Sequence, residues 1–164
     1  MNEAFIDGQN LRFGTTKAAN PWEIDLSRFR IYLSSKYNVN RAYYYIGAYT
    51  DDHIKLYEHI VESGFIPRYR EHTKYSSSKK KGNVDTDIVF DIMKKIAEND
   101  EFDKVILVSG DGDYFRMVEY LIEKNKFLRL LAPDSKRMSR LYRRLSSQYY
   151  DYLNSEDIKR KIAK

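Results

Sequence analysis

Apolar and polar positions along the chain fall into short blocks, and the least interrupted apolar block is Val105-Ile-Leu-Val108. Four β-favouring residues without a polar break mark a strand buried on both faces of a parallel sheet. The block stops at Ser109-Gly-Asp-Gly-Asp113, and Phe115, Met117, Val118, Leu121 and Ile122 then recur at helical spacing. Ala4-Phe-Ile6 is a shorter block of the same kind and ends in Asp7-Gly-Gln-Asn10. Arg41–Ile46, Phe65–Arg70 and Phe127–Ala132 read as further strands, and Tyr149–Leu153 as a small edge strand.

Helical patterns fill the gaps between these blocks. Asn20-Pro-Trp-Glu23 predicts a capped helix start, with Leu26, Phe29, Tyr32 and Leu33 inward. Asp51–Ser63 predicts a helix with Ile54, Tyr57, Ile60 and Val61 inward, closed by Gly64. Asn83–Glu98 predicts another, and Met138, Leu141, Tyr142 and Leu145 share one side of a short basic helix. The small, polar stretch up to Ala19 reads as a loop, and Glu71–Gly82, without periodicity, as the one mobile segment. Strands alternating with helices predict an α/β fold, a doubly wound and mainly parallel sheet of five or six strands with helices on both faces. One domain over 1–153 accounts for the pattern, and 154–164 forms a charged tail.

Composition changes this picture in three ways. The 164 residues include no cysteine, which excludes disulfides, zinc–thiolate sites and thiol catalysis. No apolar run approaches the roughly 20 residues of a membrane span, and Met1 leads straight into a strand, so a cytoplasmic protein without a membrane partner is expected. A net charge of +5 admits an acidic partner, and the 15 tyrosines offer stacking surfaces as well as core.

The acids carry the candidate chemistry. Two strands end in acid-and-glycine turns, at the sheet edge where open α/β folds hold their ligands. On the helix after Asn83, at about 100° per residue from Val84, Val89, Ile88, Ile92 and Ile96 fall between roughly 40° and 140°. Asp85 falls near 100°, within that apolar face, whereas Asp87 and Asp91 fall near 300° and 340°. A carboxylate aimed into a packed face is costly unless a cation or donors receive it. The macrodipole alone would also favour an acid in the first turn, and turn chemistry alone would favour Asp7, Asp111 and Asp113. Their convergence on one edge favours a shared purpose. Clustered carboxylates and hard oxygen donors suit Mg²⁺ or Mn²⁺. An acidic metal site in a basic chain suits the cutting of a polyanion.

The chain resembles the NYN-domain proteins of the bacterial LabA-like branch, in the PIN-like nuclease superfamily. The resemblance rests on Phe5-Ile-Asp-Gly-Gln-Asn-Leu11, Lys81-Gly-Asn-Val-Asp-Thr-Asp-Ile88 followed by Asp91, and Leu107-Val-Ser-Gly-Asp-Gly-Asp-Tyr114, with a weaker match at Leu131-Ala-Pro-Asp-Ser135. It implies a three-layer α/β/α sandwich and metal-dependent cleavage of RNA, endonucleolytic in kind. By position, Asp7, Asp85, Asp111 and Asp113 match the family's metal-site acids, Asn10 its polar partner and Asp91 a further acid ranked second. Tyr114-Phe115 departs from the Asp-Phe ending usual in the family, a change expected to spare the carboxylates and alter the packing of the turn.

Lys79-Lys-Lys81 before the acidic helix, and Arg137, Arg140, Arg143 and Arg144 beside the fifth strand, are the candidate phosphate contacts. An ordinary solvated surface would look the same. Two other classes compete with a ribonuclease. A non-catalytic RNA-binding or regulatory module would gain little from clustered acids, and a small-molecule phosphatase would not need the basic flanks. A homodimer is compatible with the sequence.

Overall fold

Strand order and chain order part company at one point, and that point positions everything that follows. β1 (Asn2–Asp7), β2 (Val39–Ala48), β3 (Ile66–Arg70), β4 (Val105–Val108), β5 (Phe127–Ala132) and β6 (Tyr150–Tyr152) form one sheet in the order β3-β2-β1-β4-β5-β6. Every neighbouring pair is parallel. The chain first builds outward from β1 to β3, then crosses back to lay β4 on the other side of β1. A crevice therefore opens at the carboxyl ends of β1 and β4, the topological switch point of an open α/β sheet. The computed structural model describes residues 1–48, 53–70 and 84–164.

Alternation along the strands assigns the two faces. Phe5, Tyr43, Tyr45 and Leu107 meet Ile88 and Ile92 of α4 (Val84–Ala97) and Val118 and Leu121 of the Phe115–Glu123 helix. Ala4, Ile6, Ile106 and Val108 meet Leu11 of α1 (Gly8–Gly14), Phe29 and Leu33 of α2 (Leu26–Tyr37) and Ile60 of α3 (Ile54–Glu62). The Phe115–Glu123 helix is α5, and α6 (Glu156–Ile162) joins the second face through Ile162, which is fully buried. The result is the expected three-layer α/β/α sandwich.

Several local expectations change. The stretch read as a loop begins with α1, whose Asp7 cap accepts the Asn10 N–H at 2.9 Å. Only Leu11 among its side chains is buried between two glycines, so no helical period is visible in the sequence. The next helix starts at Leu26, not at Asn20, and Asp25 caps it by accepting the Arg28 N–H at 3.0 Å. Ile24 instead bridges antiparallel to Ala163, and the Asp25 N–H donates to the Ile162 carbonyl at 2.8 Å. A contact from the far end of the chain thus takes the residues that a local cap would have used. In α3, Tyr57 and Ile60 are buried, while Ile54 and Val61 face outward. The short basic helix is a 3-10 turn, Arg140–Arg144, with Met138 and Tyr142 buried and Leu141 exposed. The expected mobile segment, Lys79–Lys81 and the Asp51 helix start lie outside the described residues.

Candidate metal centre

β1 delivers Asp7 to the crevice floor, where it is 4% exposed. Its carboxylate closes the N-terminus of α1, which turns Asn10 back across the crevice. Asn10 Oδ1 accepts the Gly110 N–H at 2.9 Å and so ties the end of β1 to the end of β4. After β4, the Asp111 N–H donates to Ser109 Oγ at 3.1 Å, and Asp111 Oδ1 accepts the Asp113 N–H at 3.0 Å. These bonds wind Gly112–Tyr114 into one 3-10 turn. The Ser139 N–H donates to the Gly110 carbonyl at 2.9 Å, and the Tyr142 hydroxyl donates to the Asp111 carbonyl. The glycines admit that close approach: a Cβ at Gly112 would stand 2.7 Å from Ser139 Oγ.

α4 supplies the third acid from its first turn. Carboxylate oxygens of Asp85, Asp111 and Asp113 all lie within 4.8 Å of one another. Opposite oxygens around a hard divalent cation stand about 4–5 Å apart, so the spacing and the all-oxygen donor set both fit Mg²⁺ or Mn²⁺. Asp7 lies outside that trio but is joined to it. The buried Tyr114 hydroxyl donates to Asp85 Oδ1 at 2.8 Å and stands 3.1 Å from Asp7 Oδ2.

Among the described residues, no lysine or arginine offsets the charges of Asp7 and Asp85. Burial pushes the Asp7 carboxyl above the usual range, the Asn10 N–H and Tyr114 hydroxyl oppose the shift, and the charges of Asp85 and Asp111 add to it. Burial likewise raises Asp85, with the Tyr114 hydroxyl opposing and Asp111 and Asp113 reinforcing. Folding therefore makes Asp85 hold its proton more tightly. Its contribution to stability falls as pH rises above the ordinary value of 3.8 and stays unfavourable above the raised folded value. Asp85→Asn, whose amide oxygen can still accept from Tyr114, is expected to raise the melting temperature of the metal-free protein at neutral pH. Below pH 3.8 the gain should vanish, and thermal unfolding at the two pH values checks the sign.

The other candidates are placed as follows. Asp91 Oδ2 accepts the Tyr45 hydroxyl at 2.7 Å and is not among the clustered trio. Arg137, Arg140, Arg143 and Arg144 are exposed on the segment that packs over the Gly110–Gly112 turn. Arg137 Nη1 donates to the Phe13 carbonyl at 3.1 Å, and the Arg144 guanidinium lies 5.4 Å from the Phe115 ring centroid. Asp134 of the weaker motif is structural: its Oδ1 accepts the Lys136 N–H at 2.9 Å and the Asn154 amide at 3.1 Å. Tyr114 is the polar site residue that sequence reasoning passed over. Its hydroxyl meets Asp7 and Asp85 only through the packing of β1 and α4, which no local spacing encodes.

Comparisons with known proteins bear on the family and the fold. The family model described as NYN domain matches residues 4–153. The chain is 26% identical over 157 residues to the low amplitude and bright protein LabA of Synechococcus elongatus, covering 90% of this chain and 81% of that one. A crystal structure of a protein of unknown function from Vibrio parahaemolyticus superposes with a TM-score of 0.70 at 21% identity, covering 95% of this chain and 93% of the other. From the family match, which spans both strand-end turns and α4, the chain belongs to the NYN domain family and is LabA-like.

Proposed function

We propose that the protein is a metal-dependent ribonuclease that hydrolyses phosphodiester bonds within RNA. The observation that carries this reading is the convergence of Asp85, Asp111 and Asp113, from two separate elements, with oxygens within 4.8 Å at the switch point of the sheet. A protein that only bound RNA would gain little from clustering carboxylates where a phosphate must lie.

In this reading Asp85, Asp111 and Asp113 hold Mg²⁺ or Mn²⁺, and Asp7 holds it directly or through water. Once bound, the cation supplies polarisation of the scissile phosphate and activation of water for in-line attack. Asn10 fixes the distance between the two strand ends through Gly110. Arg137, Arg140, Arg143 and Arg144 take the phosphates that flank the cut on one side, and Lys79, Lys80 and Lys81 serve the approach to α4. Asp91, paired with Tyr45, stays a reserve ligand.

The test is incubation of end-labelled single-stranded RNA with the protein in Mg²⁺ or Mn²⁺ and, in parallel, in excess chelator. Internal fragments that depend on divalent cation are expected. Salt-sensitive binding with intact RNA under every metal condition would overturn the enzyme reading in favour of a binding module.

A further inference from the structure

Among the described residues, the Tyr114 hydroxyl is the polar group touching two site carboxylates that the proposed reaction leaves without a role. Its ring belongs to the core shared by β1, α4 and α5, and phenylalanine would fill the same volume. What tyrosine adds is a single O–H, fully buried and aimed at acids. A buried hydroxyl is costly unless paired, and here its partners are Asp85 at 2.8 Å and Asp7 at 3.1 Å.

We propose that Tyr114 is a positioning residue, its hydroxyl tying Asp85 of α4 to Asp7 of β1 so that the acids keep metal-binding spacing. The inference rests on the metal-site reading above. Asp111 and Asp113 share one turn, in which the Asp111 N–H donates to Ser109 Oγ and the Asp113 N–H to Asp111 Oδ1. Asp85 arrives on a different element and faces two like charges within 4.8 Å, whose repulsion opposes the cluster. Tyr114 belongs to the same turn as Asp111 and Asp113, yet its hydroxyl reaches Asp85. It therefore fixes the helix-borne acid relative to the loop-borne pair. The same hydroxyl reaches the strand-borne Asp7, which the trio alone leaves out. A donor of this kind sets the orientation of a ligand without touching the metal, and removal of such donors typically costs 10–100-fold in metal affinity.

Tyr114→Phe in the full chain, titrated with Mn²⁺ and read by the free ion's electron paramagnetic resonance signal, tests the proposal. The expected result is a dissociation constant raised about 10–100-fold over the unsubstituted protein. Thermal unfolding with and without Mn²⁺ is the companion readout. A purely structural hydroxyl would lower both melting temperatures equally, whereas a positioning hydroxyl shrinks the rise that a fixed, subsaturating Mn²⁺ concentration produces. Equal Mn²⁺ affinity in the two proteins would overturn the role of Tyr114 and leave the metal site standing. Failure of the unsubstituted protein to bind Mn²⁺ would overturn the metal site itself. Should Tyr114→Phe not fold, a Mn²⁺-bound structure of the unsubstituted protein decides: the hydroxyl is expected to stay in hydrogen-bonding contact with Asp7 and Asp85, and its departure from either would refute the proposal.

Discussion

Asp111→Asn is expected to lower metal-dependent RNA cleavage by about a hundredfold or more, since even groups one step removed from a metal typically cost 10–100-fold. The substitution is informative because it leaves the local structure its support. Asp111 Oδ1 caps the 3-10 turn by accepting the Asp113 N–H at 3.0 Å, and an asparagine carbonyl can accept the same bond. The backbone carbonyl that receives the Tyr142 hydroxyl is untouched. What disappears is one of three negative charges within 4.8 Å of one another. Cleavage rates under saturating Mg²⁺ and the Mg²⁺-induced rise in melting temperature should therefore fall together, while the metal-free protein melts no lower than before. Full cleavage by Asp111→Asn would show that the clustered acids do no chemistry.

Gly8→Ala is expected to cost substantial stability for the addition of a single atom beside the site. A Cβ there would stand 2.6 Å from the Tyr45 carbonyl oxygen and 2.5 Å from Tyr44 Cε1. The first of these is strand backbone and the second a buried ring, so neither can swing aside. Overpacking of this kind typically costs about 1–3 kcal/mol, equivalent to roughly 2–12 °C in melting temperature for a domain of this size. The damage reaches function because Gly8 follows Asp7 directly, and any shift of α1 moves that carboxylate and Asn10 with it. Gly47→Ala, where a Cβ would meet nothing within 4 Å, serves as the comparison and should cost under about 0.5 kcal/mol. Thermal unfolding and Mn²⁺ titration of both variants check the contrast.

The glycine of Asp7-Gly8-Gln9-Asn10 thus has a reason that its sequence context did not show. Read along the chain, the motif suits a turn. In three dimensions it is a helix start pressed against β2, and the contact that forbids a side chain comes from residues 44 and 45. The sheet and the acidic helix were far more legible. Val105–Val108 has no polar break, and Asp85 stands out because a charge amid an apolar stripe conflicts with burial at any register. Such conflicts are local and can be read from spacing alone. The start of α2 could not be, because the bridge of Ile24 to Ala163 joins opposite ends of the sequence. Tyr114 was hidden for another reason. An aromatic after an acidic turn looks like core, and it is core; only the meeting of its hydroxyl with β1 and α4 gives it a second task.

The central claim is that Asp85, Asp111 and Asp113 form a hard-cation site, and crystals equilibrated with Mn²⁺ test it most directly. Anomalous scattering at the manganese edge is expected to show a peak among these three carboxylates, lost in crystals of Asp111→Asn. Crystals in which Mn²⁺ scatters elsewhere or not at all, with the three carboxylates unmoved, would contradict the account.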